Sequence, residues 1–184
     1  MKKEILFLLV ILILSAAVRI YISFQSPAML AEKIVQDDSY YYFSEAKSLA
    51  SGNGITSNGV DATNGFQPLW RFMIAPAFLI KNLDLSVNFV LLLATLLDLI
   101  STTLIYKIAR KFLSEKFSLL AAALYGFNFF IIAQTLSGLD VALAVPLLLA
   151  IFLEFSGKKK PIHLGILTGL LVLARLDGIF LAIL

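Results

Sequence analysis

The sequence predicts an all-α polytopic membrane protein, and three observations carry that expectation. The 184-residue chain is 60% hydrophobic and only 15% charged, where soluble domains carry about a quarter charged residues. Its mean hydropathy is +0.92. Its apolar residues come in runs that approach the ~20 helical residues needed to cross a bilayer. The net charge of +3 is modest and the basic residues cluster between these runs, which reads as a topology signal and not as a nucleic-acid surface. The absence of cysteine excludes disulfides and thiolate metal sites, and the single His163 excludes a multi-histidine metal site. There is no P-loop, no glycine-rich dinucleotide turn and no nucleophile elbow.

The chain reads as one transmembrane domain over residues 1–184, and its close in the middle of an apolar run predicts the N-terminal portion of a longer protein. Lys2 and Lys3 precede an apolar stretch at 5–24. That stretch continues past Ser15-Ala16-Ala17, so it predicts an uncleaved first span with a cytoplasmic N-terminus, Arg19 snorkelling to the far interface. Residues 25–84 form a long extracytoplasmic loop with interfacial helices. One helix starts at Asp38 or Ser39 and runs to Ala50, where Gly52 and Gly54 end it. The apolar piece at 68–80 is too short to cross. Taken as an interfacial or re-entrant segment, it leaves spans at 85–106, 117–134, 141–155 and 162–173 and puts every basic loop on the cytoplasmic side. Asp98, inside the second span, predicts an interhelical hydrogen bond, with Asn128 at similar depth. Trp70 and Tyr40 to Tyr42 fit an interfacial aromatic belt.

This path delivers Asp37, Asp38, Asp140, Arg175 and Asp177 to one outer membrane face from three separate loops. Each has a plain reading: Asp38 and Asp140 as helix caps, Arg175 and Asp177 as an ion pair at a helix end. Each also has a chemical one, with carboxylates as bases or metal ligands and the forked guanidinium as a phosphate binder. Asp37, Tyr41 and Glu45 are spaced for one helical face.

Asp37-Asp38-Ser39-Tyr40-Tyr41 resembles the acidic signature in the first outer loop of GT-C-type integral-membrane glycosyltransferases. That class includes oligosaccharyltransferases, protein O-mannosyltransferases and lipid A aminoarabinose transferases. Thr63-Asn64-Gly65-Phe66-Gln67-Pro68-Leu69-Trp70 is similar to the segment that ends this loop in one bacterial and archaeal branch. Ser137-Gly138-Leu139-Asp140 resembles the second acidic element, and Ala174-Arg175-Leu176-Asp177-Gly178 a later Arg-x-Asp-Gly element. The class has His where Gln67 stands, which removes a titratable group, and Pro where Leu176 stands. The resemblance implies inverting transfer of a sugar from a polyprenyl-phosphate donor to a lipid, glycan or protein acceptor outside the cell membrane. It implies Asp37 as general base, Asp38 as support, and Asp140 as a second carboxylate. Arg175, Asp177, Tyr41, Asn64 and Gln67 would contact substrate. Asp37 and Asp140 would hold Mg or Mn in a metal-dependent member; no other cofactor is implied. The rival readings are a transporter or flippase subunit, with ionisable groups near the midplane, and a non-catalytic membrane scaffold.

Overall fold

The structure, a computed structural model, describes residues 2–63, 67–157 and 160–182. Its regular elements are helices, and among the described residues the one β-type pairing is a lone antiparallel bridge between Thr56 and Ala62. The helices are α1 (Lys2–Ser23), α2 (Pro27–Met29), α3 (Ser39–Ala50), α4 (Pro68–Ile74), α5 (Leu83–Ala109), α6 (Glu115–Gly126), α7 (Phe129–Thr135), α8 (Val141–Phe155), α9 (Pro161–Ala174) and α10 (Ile179–Ala182). Local chemistry sets their ends. Pro68 and Pro161 occupy first-turn positions where no N–H is needed. The Asn82 side chain accepts from Leu85 N at 3.0 Å and Asn128 from Ile131 N at 3.2 Å, capping α5 and α7.

By length and composition, α1 and α5 can cross a membrane, and a third span exists if α6 and α7 count as one. Five spans were expected from the sequence, and two or three helices meet this test among the described residues. The run at 117–134 is two helices meeting at 55°, because Asn128 starts a new helix where Gly126 ends the last. Helices α8 and α9 have only 15 and 14 residues.

The basic end is physically distinct. The Glu4 side chain bonds that of Glu115 and feels the charge of Arg110, and Lys111 donates to Leu153 O at 3.0 Å. These contacts gather the start of α1, the end of α5, the start of α6 and the end of α8. The opposite end holds α3, α4, the 137–140 turn and the α9–α10 junction. Its core is Phe43 and Ala46 of α3, Trp70 and Ile74 of α4, Val90, Leu91 and Ala94 of α5, and Leu136 and Leu143. The short apolar segment after Pro68 thus lies against protein. Trp70 is 0% exposed, so it is a core residue and not part of an interfacial belt. The outer face of α1, including Leu6, Phe7, Ile13 and Tyr21, is exposed and apolar.

Two further expectations are overturned. Arg19 does not snorkel outward but is fully buried and pairs with Asp98 at 2.5 Å. The partners of Asp98 are Arg19, Tyr125 and Thr135; Asn128 is spent on its cap.

Candidate functional site

The 137–140 turn is the structural hub of the site. Ser137 O accepts from Gln36 N at 3.0 Å and from Ser39 Oγ at 2.6 Å, and Gly138 O accepts from the Trp70 indole N–H at 3.0 Å. Gly138 sits at φ +86, and a Cβ there would lie 2.8 Å from Phe43 Cζ and 2.9 Å from Ser39 Cβ. Glycine is required both for the left-handed backbone and for the close approach of α3. These bonds bind the start of α3 and α4 to the turn that precedes α8.

Asp140 follows the turn. Its side chain is 6% exposed and lies 3.4 Å from Arg175 Nη1. Among the described residues, no side chain caps the start of α3 or α8, so neither Asp38 nor Asp140 is occupied as a cap. Burial pushes the Asp140 carboxyl above its ordinary value of 3.8, while Arg175 pulls it back and Asp177 pushes it further up. Arg175 grips Asp177 with both faces of its fork, Nε to Oδ1 at 3.1 Å and Nη2 to Oδ2 at 3.0 Å. That bond holds the exposed Asp177 below its usual range and raises Arg175. Gln67 Oε1 accepts from Leu176 N at 3.1 Å, which ties the residue before α4 to the segment after α9.

The sequence-predicted residues therefore divide. Asp140, Arg175, Asp177 and Gln67 come together. Asp37 and Asp38 lie next to Gln36 and Ser39, which hold the turn, and both are exposed. Asn64 lies outside the described residues. Tyr41 is 65% exposed. Although it shares a helical side with Glu45, Glu45 is buried under other elements, so the two make no common surface. The tyrosine that senses the site is Tyr42: burial and the charge of Asp140 raise its hydroxyl above 10.0 and Arg175 opposes them. Helical spacing alone could not choose between these neighbouring tyrosines.

Beside Arg175 and Asp177 opens an apolar groove of about 380 Å³ between α8, α9 and α10, lined by Ala144, Val145, Leu148, Leu171 and Phe180. The groove thus has a mouth carrying both signs of charge and apolar walls. Asp140 already faces a guanidinium, Asp37 is exposed, and no group of three His, Cys, Asp or Glu able to hold a metal occurs among the described residues. No family model, curated protein or solved structure matches this chain.

Proposed function

We propose that this chain belongs to a polytopic glycosyltransferase of GT-C type. It would transfer a sugar from a polyprenyl-phosphate donor to a lipid, glycan or protein acceptor at the extracytoplasmic face of the cell membrane. The observation that carries the reading is the cluster of Asp140, Arg175, Asp177 and Gln67, joined to the Asp37–Asp38 loop by the 137–140 turn, at the end of the bundle opposite Lys107, Arg110, Lys111 and Lys116. The positive-inside rule puts the basic end in the cytoplasm, and hence the cluster outside.

In this reading Asp37 takes the proton from an acceptor hydroxyl or amide. The acceptor atom attacks the sugar's anomeric carbon from the face opposite the phosphate, and the bond from that carbon to the phosphate oxygen breaks with inversion. The electron pair leaves with the phosphate, and Arg175 meets its charge. Asp140 anchors Arg175 from the protein side. The prenyl tail lies along the apolar groove beside α10.

A transporter is favoured by one observation, a 340 Å³ cavity whose lining includes Asp98. Against it, Asp98 is already engaged by Arg19, Tyr125 and Thr135. The deciding experiment supplies membranes carrying the protein with radiolabelled polyprenyl-phosphate sugars and compares wild type with Asp37→Asn and Asp140→Asn. Label leaving the lipid in wild type alone supports the transferase. An untouched donor, or variants that turn over like wild type, rejects it.

A further inference from the structure

The bend between α6 and α7 is built around one buried side chain. Arg19 of α1 is 0% exposed. Its Nη1 donates to the Gly126 carbonyl at 2.8 Å and to Ser15 Oγ at 2.6 Å, and Ser15 Oγ donates to the same carbonyl at 3.1 Å. Gly126 is the last residue of α6, where a broken helix leaves carbonyls without intrahelical partners and where a cation is favoured by the helix dipole. The other end of the guanidinium pairs with Asp98. Asp98 in turn accepts from Tyr125 Oη, on α6, and from Thr135 Oγ1, at the end of α7, both at 3.1 Å. One ion pair thus holds both limbs of a 55° bend. Two residues beyond Thr135 begins the turn that carries Asp140.

We propose that Arg19 is a positioning residue. Through Gly126 and Asp98 it fixes the angle at which α7 delivers the 137–140 turn to α3 and α4, and so the placement of Asp140 against Arg175. The alternative is that Asn128 alone sets the break and the ion pair merely neutralises two buried charges. The two differ in what Thr135→Val does. That change removes one hydroxyl from the network, leaves both charges paired, and should matter only if the network holds α7.

The chain has no cysteine, so a nitroxide pair can be placed across the bend at Leu120→Cys on α6 and Gln134→Cys on α7. Helix α7 has seven residues, about 10 Å of helix, so relaxing the bend by roughly 20° moves its far end by about 3–4 Å. Double electron–electron resonance on the otherwise intact protein in nanodiscs should show a shift of that size, or a broadened distribution, in Arg19→Met and Thr135→Val. Thr135→Val keeps the test valid should Arg19→Met fail to fold. An unchanged distance in Thr135→Val overturns the proposal.

The link to Asp140 rests on the transferase reading. In the donor assay, Thr135→Val should lower kcat with little change in donor KM. A distance that moves while kcat stays constant also overturns the positioning role. If wild type transfers nothing, the transferase reading fails, and the distance still decides whether Arg19 sets the bend.

Discussion

Substituting Gly138 by alanine tests whether the 137–140 turn is the joint that holds the site. Two costs add at this position. The left-handed backbone at φ +86 costs an L-residue about 1–2 kcal/mol. The new methyl would also lie 2.8 Å from Phe43 Cζ and 2.9 Å from Ser39 Cβ, well inside the ~3.5–4.0 Å optimum for carbon pairs. Phe43 is 3% exposed and Ser39 0%, so neither has free space to yield, and overpacking of this kind costs about 1–3 kcal/mol. The sum is roughly 2–5 kcal/mol. Gly52→Ala is the matched control, with φ +78 and nothing within 4 Å of the new Cβ, so backbone strain alone applies, about 1–2 kcal/mol. Gly165 lies within α9 with open space around it, and alanine there should stabilise by up to about 1 kcal/mol. The assay is SDS titration in mixed micelles followed by the fluorescence of Trp70, the sole tryptophan, whose indole N–H bonds Gly138 O. The expected order of stability is Gly165→Ala, wild type, Gly52→Ala, Gly138→Ala, with altered native emission in the last variant. A Gly138→Ala protein no weaker than Gly52→Ala would refute the close-packed joint.

Two more predictions concern the carboxylates. The Asp140 carboxyl is raised in the folded state above 3.8 by burial, so the native protein binds more protons than the unfolded chain in the window just above that value. Stability should be fully present below 3.8 and fall as pH rises through the folded value. Wild type should show that slope in denaturant titrations and Asp140→Asn should lack it; a slope common to both removes Asp140 as its source. Asp37 and Asp38 are exposed and uncapping, so Asn at either should change stability by no more than about 0.5 kcal/mol. Asp37→Asn should nonetheless cut transfer by about 10²–10⁴-fold, the usual worth of a general base. Equal activity losses in the two Asn variants would remove the distinction between base and support.

What could be read from the sequence was what hydrophobic periodicity and helix breakers decide locally. The helix from Ser39 to Ala50, the start of α8 at Val141 and the short helix after Pro68 follow from composition and breakers. Putting the basic loops on one side brought Asp140, Arg175 and Asp177 to one face, whereas Gln67, which bonds Leu176 N, was pointed to only by the resemblance. Arg19 was misjudged for a reason that geometry supplies. Side chains on a helix lean toward its N-terminus, and the N-terminus of α1 lies at the basic end, beside Arg110 and Glu115. Arg19, near the other end, therefore leans into the bundle toward Ser15, and reaching the nearer interface would run against that tilt. The opposite charge at Asp98 was the available signal, since two lone charges of opposite sign inside apolar helices are cheaper paired than apart. Trp70 was misplaced because an aromatic at a loop end satisfies an interface pattern as well as a core one. Only the partner of its N–H, Gly138 O, separates the two, and that contact spans 68 residues of sequence.

The charges of the cluster do not balance, and the imbalance yields a test with opposite signs. Asp140 and Asp177 share one guanidinium, leaving a formal charge of −1 (−1 − 1 + 1). A donor phosphate arriving there is opposed unless one carboxylate yields its face of Arg175. Asp177 is the one able to yield. Its side chain is 59% exposed, so it is readily solvated, and exposed pairs are worth about 0–1 kcal/mol. Asp140 is 6% exposed, and removing its cation would strand a buried charge, a far costlier change. On the proposed reading Asp177 occupies the bidentate face that the phosphate takes over, while Asp140 keeps Arg175 aimed. Asp177→Asn should then strengthen donor binding, by up to about fivefold if roughly 1 kcal/mol of competition is removed. Asp140→Asn should weaken it, because the guanidinium loses its anchor. Donor affinity, measured by displacement of a fluorescent polyprenyl phosphate from each variant in nanodiscs, separates the two roles. Weakening by both substitutions would mean that Asp177 is part of the binding face itself and not a placeholder for the phosphate.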